Sequence, residues 1–323
     1  GMWAQVQEKY IFPIGIQKLE LYGDTPPVGT RLPTYLEITE VTSKTMQANI
    51  EVQDGAGNVW MRIQGWKDWI FYWWPRLFAF TRKPTVNVLS QTMSLSNLAN
   101  GCVCHTVDNE NLRDFEINAL ARYFLHHDEM PSFHKLAEHP KRQREWLLGR
   151  IAAKDAVRVW LKEENTEEML HPAEFIIEND DRGQPVVRNP GSDNSVPKIS
   201  IAHSHGRALA VASAKSIGVD LEYISEKDTT FVEAITSSRE RDWLTNVPSQ
   251  EKAAWVTRLW CAKEAVSKMN GTGLNGKPKA FEAITFERSG DMTIQATENG
   301  QTTKVHTYQE ENFIIALTSN PNS

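Results

Sequence analysis

The spacing of apolar residues changes character along this chain. Up to about residue 80 it runs at period two, and Ile11 to Tyr22, Tyr35 to Val41, Thr45 to Gln53 and Asn58 to Gln64 read as strands. Asp24-Thr25-Pro26-Pro27 breaks the first, and Asp54-Gly55-Ala56-Gly57 is a hairpin signal between the last two. Nothing in this segment supplies a long helix to cover the sheet. Trp60, Trp66, Trp69, Trp73 and Trp74 crowd it. Sheet core plus an interface is the expected use of these rings, and a ligand-stacking wall is the alternative. From Thr81 to Asn100 the period is lost among Thr, Asn, Ser and Pro, which reads as a linker.

Helical spacing begins beyond residue 100. Gly101 to Val107 reads as a strand, and Asn111 to Leu125 and Lys141 to Lys162 as helices. The second helix has apolar residues from Trp146 to Trp160. Its other side carries Lys141, Arg142, Arg144, Arg150, Lys154 and Arg158. Such a basic face is either simply solvated or suited to a phosphorylated ligand. Lys198 to Ala202, Ala208 to Ser213 and Ser216 to Tyr223 read as strands, the last two as a hairpin across Ala214-Lys215. In the last strand Asp220 and Glu222 share a face, with Cα atoms about 6.6 Å apart at twice the strand rise. Both could reach one cation, or both could simply be exposed on an edge.

The most informative helix ends at Gly271, with Ser249 as a plausible cap. Leu259, Ala262, Val266 and Met269 form its core stripe, while Trp260, Glu264 and Lys268 share another face. Alone, Glu264 and Lys268 read as a surface pair worth roughly 0.2–0.5 kcal/mol. Phe281 to Glu287, Met292 to Gln295, Thr303 to Tyr308 and Asn312 to Thr318 follow as strands. The result is an α+β class, mostly sheet packed on one long helix.

Composition narrows this picture. A length of 323 residues suits two domains, and 40% hydrophobic with 24% charged residues is globular. A net charge of −6 gives no support to nonspecific nucleic-acid binding. Three cysteines cannot make a disulfide framework, so a reducing cytoplasm is expected. Cys102, Cys104 and His105 lack the second ligand pair that zinc needs, and His126, His127, His134 and His139 show no ligand spacing. No apolar run reaches membrane-spanning length, and no secretion signal is visible. Gly1 ahead of Met2 reads as a cloning scar, so the chain could be cut from something longer.

Two weak motifs stand in register. Gly218-Val219-Asp220-Leu221-Glu222 is followed, after 37 residues, by Trp260-Cys261-Ala262-Lys263-Glu264-Ala265-Val266-Ser267-Lys268. This pair resembles the signature of the 4′-phosphopantetheinyl transferase superfamily. Leu148-Gly149-Arg150 with Ala153-Lys154, Ile199 to Ser204, and Gly271-Thr272-Gly273-Leu274 extend the resemblance over roughly Leu112 to Thr318. It is to the large, surfactin-synthetase-activator type, which implies a two-subdomain pseudodimer of similar α+β halves across 101–323. Residues 1–80 are similar to the C-terminal part of a polyketide or polyunsaturated-fatty-acid synthase dehydratase, a hot-dog fold. That similarity rests on Ile14 to Gly23, Pro27 to Thr30, Asp54 to Trp60 and Ile63 to Trp66. No catalytic His and Asp of that family can be placed, so this piece reads as a remnant or a truncated partner, joined by 81–100 as linker.

The resemblance implies transfer of phosphopantetheine from coenzyme A to a serine of an acyl or peptidyl carrier protein, with Mg²⁺. By the same resemblance Asp220, Glu222 and Glu264 match metal ligands, and Glu264 also matches a proposed general base. Glu240 matches an acid near the metal, Lys263 and Lys268 match phosphate-facing lysines, and His203 with Ser204 matches the nucleotide-phosphate motif. Lys141, Arg150 and Lys154 lie where the family places cations near the 3′-phosphate. Two positions depart from the pattern. Gln184 replaces the lysine of a Gly-Lys-Pro turn, and Ala202 replaces the first serine of Ser-His-Ser. Each lost charge-assisted contact would cost about 1.5–3 kcal/mol of coenzyme A binding. Arg182 or Lys198 is the expected compensation. The competing reading is a non-catalytic scaffold that binds carrier domains inside a larger synthase.

Overall fold

The computed structural model describes residues 10–71, 74–112, 115–162, 168–188 and 196–319. Gly1, Met2 and Trp73 lie outside these. The chain divides into two compact units, 1–78 and 79–323.

The first unit is an antiparallel sheet of β1 (Tyr10–Gly15), β2 (Lys18–Leu21), β3 (Thr34–Val41), β4 (Thr45–Gln53) and β5 (Val59–Phe71). The order is β1-β5-β4-β3, with β2 also pairing β5. The expected hairpin joins β4 to β5, with Gln53 opposite Val59. Asp54 holds it by accepting the amides of Ala56 and Asn58 at 2.9 and 2.8 Å, and Gly57 supplies the positive φ of 89°. The buried apolar side chains of the strands are Met46, Ala48, Val52, Ile63 and Ile70, and Asp68 is buried with them. Of the tryptophans expected in the core, Trp60, Trp66 and Trp74 are only half-buried and Trp69 is 48% exposed. Aliphatic side chains, not indoles, form the covered side.

The second unit begins within α1 (Pro75–Arg82) and contains two sheets. Residues 81–100 are not a free linker. Arg158 donates to the carbonyls of Pro84 and Asn87, and Asp155 accepts the amides of Leu89 and Ser90 at 2.8 and 2.9 Å. β6 (Gln91–Thr92) then joins the first sheet. That sheet runs β10 (Lys198–Ser204), β11 (Arg207–Ser213), β7 (Val103–Asp108), β6. α2 (Ile117–Phe124) starts six residues later than its pattern suggested, where Glu116 caps it. After α3 (Met130–His134) comes α4 (Pro140–Leu161), which packs on β7, β10 and β11. β8 (Ile176–Asn179) and β9 (Pro185–Arg188) form a hairpin beside them.

The expected hairpin of 208–213 with 216–223 does not form. β11 is already paired on both edges, by β10 and β7. β12 (Val219–Tyr223) instead leaves for the second sheet and pairs with β16 (Phe313–Ser319). The order there is β12-β16-β15-β14-β13, with β13 (Phe281–Phe286), β14 (Met292–Ala296) and β15 (Thr302–Glu310). Along the chain between β12 and β13 come α5 (Thr229–Ile235), α6 (Ser238–Thr245) and α7 (Lys252–Asn270). Ser249 sits in a short 3-10 turn and does not cap α7 by its side chain. Gly271, at φ 70°, ends the helix as expected.

α7 lies on β12 and β16, and its stripe of Leu259, Ala262 and Val266 enters one core with Ala283, Ile294, Val305 and Ile314. Contact with β12 is close. A Cβ on Gly218 would stand 1.9 Å from the Ala265 carbonyl oxygen, so only glycine permits this approach. The unit is thus an α+β arrangement in which two antiparallel sheets each carry one long helix. Ser200 on β10 stitches the two, accepting the amide of Val219 at 3.0 Å.

Candidate active site

Asp220 and Glu222 project from β12, and Glu264 and Lys268 from α7. The Gly218 contact brings the two elements together. Lys268 Nζ is 2.6 Å from Asp220 Oδ1. The other oxygen, Oδ2, is buried without a hydrogen-bond partner. Glu222 accepts from Ser204 Oγ at 2.9 Å. Burial pushes the Glu222 carboxyl above the usual range, and the Asp220 charge adds to it. Glu264 is raised for the same two reasons, against the pull of Lys268. Burial works to lower Lys268, but the Asp220 charge and hydrogen bond outweigh it and leave its pKa raised.

This is an acidic focus with one resident cation, and it fits a further cation. The donors are all oxygen, the ligand type that a hard divalent ion takes. The orphaned Asp220 Oδ2 lacks the partner that a buried carboxylate oxygen requires. The three carboxylates are not yet gathered to the spacing of one ion. Among the described residues, only His126, His127 and Asp128 have three such donor atoms mutually within 4.8 Å. That trio lies apart, on the short turn after α2, and its histidines showed no ligand pattern by spacing.

A cleft of about 290 Å³ opens beside the acids. Lys268, His203, Arg150, Arg182 and Gln184 are among its lining residues. Arg150 lies over the Trp146 ring at 4.5 Å, and its Nε is buried without a hydrogen-bond partner. His203 is exposed at the cleft. Arg182 comes from the tight turn between β8 and β9, which Asp180 closes by accepting the amides of Arg182 and Gln184 at 2.9 and 2.8 Å.

Four expected site residues are placed elsewhere. Lys263 is fully buried and donates to Glu240 Oε2 at 2.8 Å and to the Ile235 carbonyl at 2.6 Å. Glu240 is likewise buried, accepting the amides of Ser237 and Ala283 at 2.7 Å each. The pair braces α6 and β13 against α7 and faces away from the cleft. Lys154 is fully buried, held by Glu129 and by the carbonyls of Pro172 and Phe175 at 2.8 and 2.6 Å. Desolvation lowers its pKa to about 8, with Glu129 opposing. Lys141 is exposed at the start of α4 and does not line the cleft. Ser204 serves Glu222. Glu129, which also stands 3.7 Å from Arg150, was not anticipated. Its sequence signal was the three-residue spacing from His126, which forms a capping box with histidine as the cap.

Residues 216–318 match the family model of the 4′-phosphopantetheinyl transferase superfamily, so this part of the chain is a domain of that superfamily. The chain is similar to 4′-phosphopantetheinyl transferase psf-1 of Bacillus pumilus, with 29% identity across 48% of this chain and 66% of the relative. It is similar to 4′-phosphopantetheinyl transferase HetI of Nostoc sp., with 26% identity across 42% of this chain and 55% of the relative. Enterobactin synthase component D of Salmonella austin is 27% identical across 64% of this chain and 83% of its own length. The chain thus spans 66% or less of the first two relatives. Among the described residues no helix is long and apolar enough to cross a membrane.

Proposed function

We propose that this chain transfers the 4′-phosphopantetheine group of coenzyme A to a serine hydroxyl of a carrier protein, with Mg²⁺, breaking the pyrophosphate bond and releasing adenosine 3′,5′-bisphosphate. The observation that carries the reading is the meeting of Asp220 and Glu222 with Glu264 and Lys268, where Lys268 both pairs with Asp220 and lines a cationic cleft, inside a domain of this superfamily. Asp220, Glu222 and Glu264 would hold the ion. When bound, Mg²⁺ supplies charge neutralisation on the pyrophosphate during in-line displacement.

The chain's own residues supply the rest. Lys268 offers an ammonium to the phosphates from a position set by Asp220. Arg150, backed by Trp146 and with its buried Nε 3.7 Å from Glu129, offers a guanidinium to the cleft, and Arg182 a second cation at the lip. Glu264 accepts the serine proton, directly or through water. A serine hydroxyl is a poor nucleophile until that proton is taken. Beside Mg²⁺ the ion's charge would lower the Glu264 pKa, so its role as acceptor rests on close geometry more than on basicity.

For the carrier, a second cleft of about 430 Å³ begins four residues after Glu222. Its lining joins apolar Val232, Leu244 and Val256 to Lys227, Arg241 and Lys252. That mixture suits an acidic, amphipathic partner. The test is incubation with an apo carrier protein, coenzyme A and Mg²⁺, followed by intact mass of the carrier. Gain of one phosphopantetheine is expected. No gain on several carriers of different synthases would reject transfer, and no heat with coenzyme A would favour the scaffold reading.

A further inference from the structure

Position 184 is where the chain departs from the superfamily's Gly-Lys-Pro turn, and the structure gives its glutamine a different job. Gln184 reaches from the β8–β9 turn to the end of α7, where its Nε2 donates to the Lys268 carbonyl at 2.9 Å. The Lys268 carbonyl also accepts the Gly271 amide at 3.1 Å, so the Gln184 side chain is its second donor and reinforces the close of the helix. The fit is close. A Cβ on Gly271, the residue that ends α7, would stand 2.5 Å from the Gln184 side chain. The glutamine is itself held, since its own amide donates to Asp180 at 2.8 Å and its carbonyl accepts from the Asp180 amide at 2.8 Å. The last turn of α7 is closed by the amides of Gly271 and Thr272, donating to Lys268 and Ser267 at 3.1 and 3.2 Å.

We propose that Gln184 is a positioning residue. It ties the turn bearing Arg182 to the helix end bearing Lys268, and so holds two cations of the cleft, on different elements, in one geometry. It acts through the Lys268 backbone, whose side chain is engaged with Asp220. On this account the lost lysine is not a defect in ligand binding that Arg182 must repair. A glutamine is neutral, planar and short, and it donates to a carbonyl while leaving the cleft's charge to Lys268, Arg150 and Arg182. The proposal rests on the transferase reading only for its kinetic arm.

Two measurements test it. In the first, hydrogen exchange is followed across residues 266–272 in the wild type and in Gln184→Ala, with no turnover required. Exchange at Gly271 and Thr272 is expected to rise at least tenfold, with the middle of α7 unchanged. Unaltered exchange there overturns the proposal.

In the second, transfer kinetics are compared for Gln184→Ala, Gln184→Lys and Gln184→Glu. Alanine is expected to lower kcat five- to twentyfold with KM for coenzyme A moving less than threefold. Lysine, which can donate to the same carbonyl at the negative end of a helix, should stay within threefold of wild type. Glutamate, which can only accept there, should be at least as impaired as alanine. A tenfold rise in KM with unchanged kcat in the alanine variant would make Gln184 a direct ligand contact and overturn the proposal. Equal loss in the lysine and alanine variants would do the same. A wild-type chain that loads no carrier rejects the transferase reading alone, because the exchange arm still decides the role of Gln184.

Discussion

The two long helices of the second unit look alike in sequence and use their charges differently. α4 carries six cations within 18 residues, the more obvious phosphate-binding surface. α7 carries few. Yet α4 spends half of these cations internally. Arg158 pairs with Asp155 at 2.7 Å and Lys154 with Glu129, all fully or nearly fully buried. Arg144 donates to Asn109 and to the Leu112 carbonyl. Only Arg150 is presented to the cleft. On α7 the two lysines of its C-terminal half divide cleanly. Lys263 is sealed against Glu240, and Lys268, five positions on, opens to the cleft. The number of cations on a helix therefore says little about anion binding. What counts is which cations lack a full set of internal partners once the sheets and the 79–100 segment have closed.

This comparison can be broken in four ways. The largest effect should come from the open side of α7. Glu264→Gln should lower transfer by a factor of 10³ or more in the carrier mass assay, with thermal stability held or slightly raised. Burial disfavours the charged carboxyl, and an amide removes that cost. Residual activity within tenfold of wild type would show that Glu264 is not the acceptor.

The sealed side of α7 should do the reverse. Lys263→Met leaves the Glu240 carboxylate buried without its cation, at a cost of about 3–5 kcal/mol in urea unfolding. Adding Glu240→Gln should recover part of it, and specific activity per folded molecule should change little. A strong loss of activity at unchanged stability would return Lys263 to the phosphate site.

On α4, Lys154 has a folded pKa of about 8 against an ordinary 10.5. Between those values the unfolded chain binds more protons than the folded one, so this group makes stability rise with pH. The slope approaches about 1.4 kcal/mol per pH unit in mid-window. Below pH 8 the burial cost of the charged form is present in full, with no further slope from this group. Urea titrations across pH 7.5–10.5 should show the increment in the wild type and lose it in Lys154→Met. Equal slopes would mean that Glu129 holds Lys154 fully charged. The smallest effect belongs to the lip of the cleft. Arg182 is exposed, so Arg182→Ala should raise KM for coenzyme A only about two- to fivefold, more at low salt than at high.

Much of this was written in local pattern. The 54–57 hairpin, the stripe of α7, its stop at Gly271, and the alternation that puts Asp220 and Glu222 on one face of β12 all follow from period and punctuation within a few residues. The register of two short motifs, 37 residues apart, was enough to gather Asp220, Glu222, Glu264 and Lys268 into one hypothesis.

The tertiary structure decided what no local pattern carries. It sent β12 to a second sheet because β11 was already paired on both edges. It packed residues 81–100 onto Asp155 and Arg158, where composition alone read a linker. It turned Lys263, Glu240 and Lys154 inward, since the face a lysine shows depends on what packs over its helix. It gave Gln184 to the end of α7 through a contact 84 residues distant in sequence. A helix period specifies which residues share a face. The identity of the surface that meets that face, and so the difference between a structural ion pair and a ligand site, is set only when the distant segments arrive.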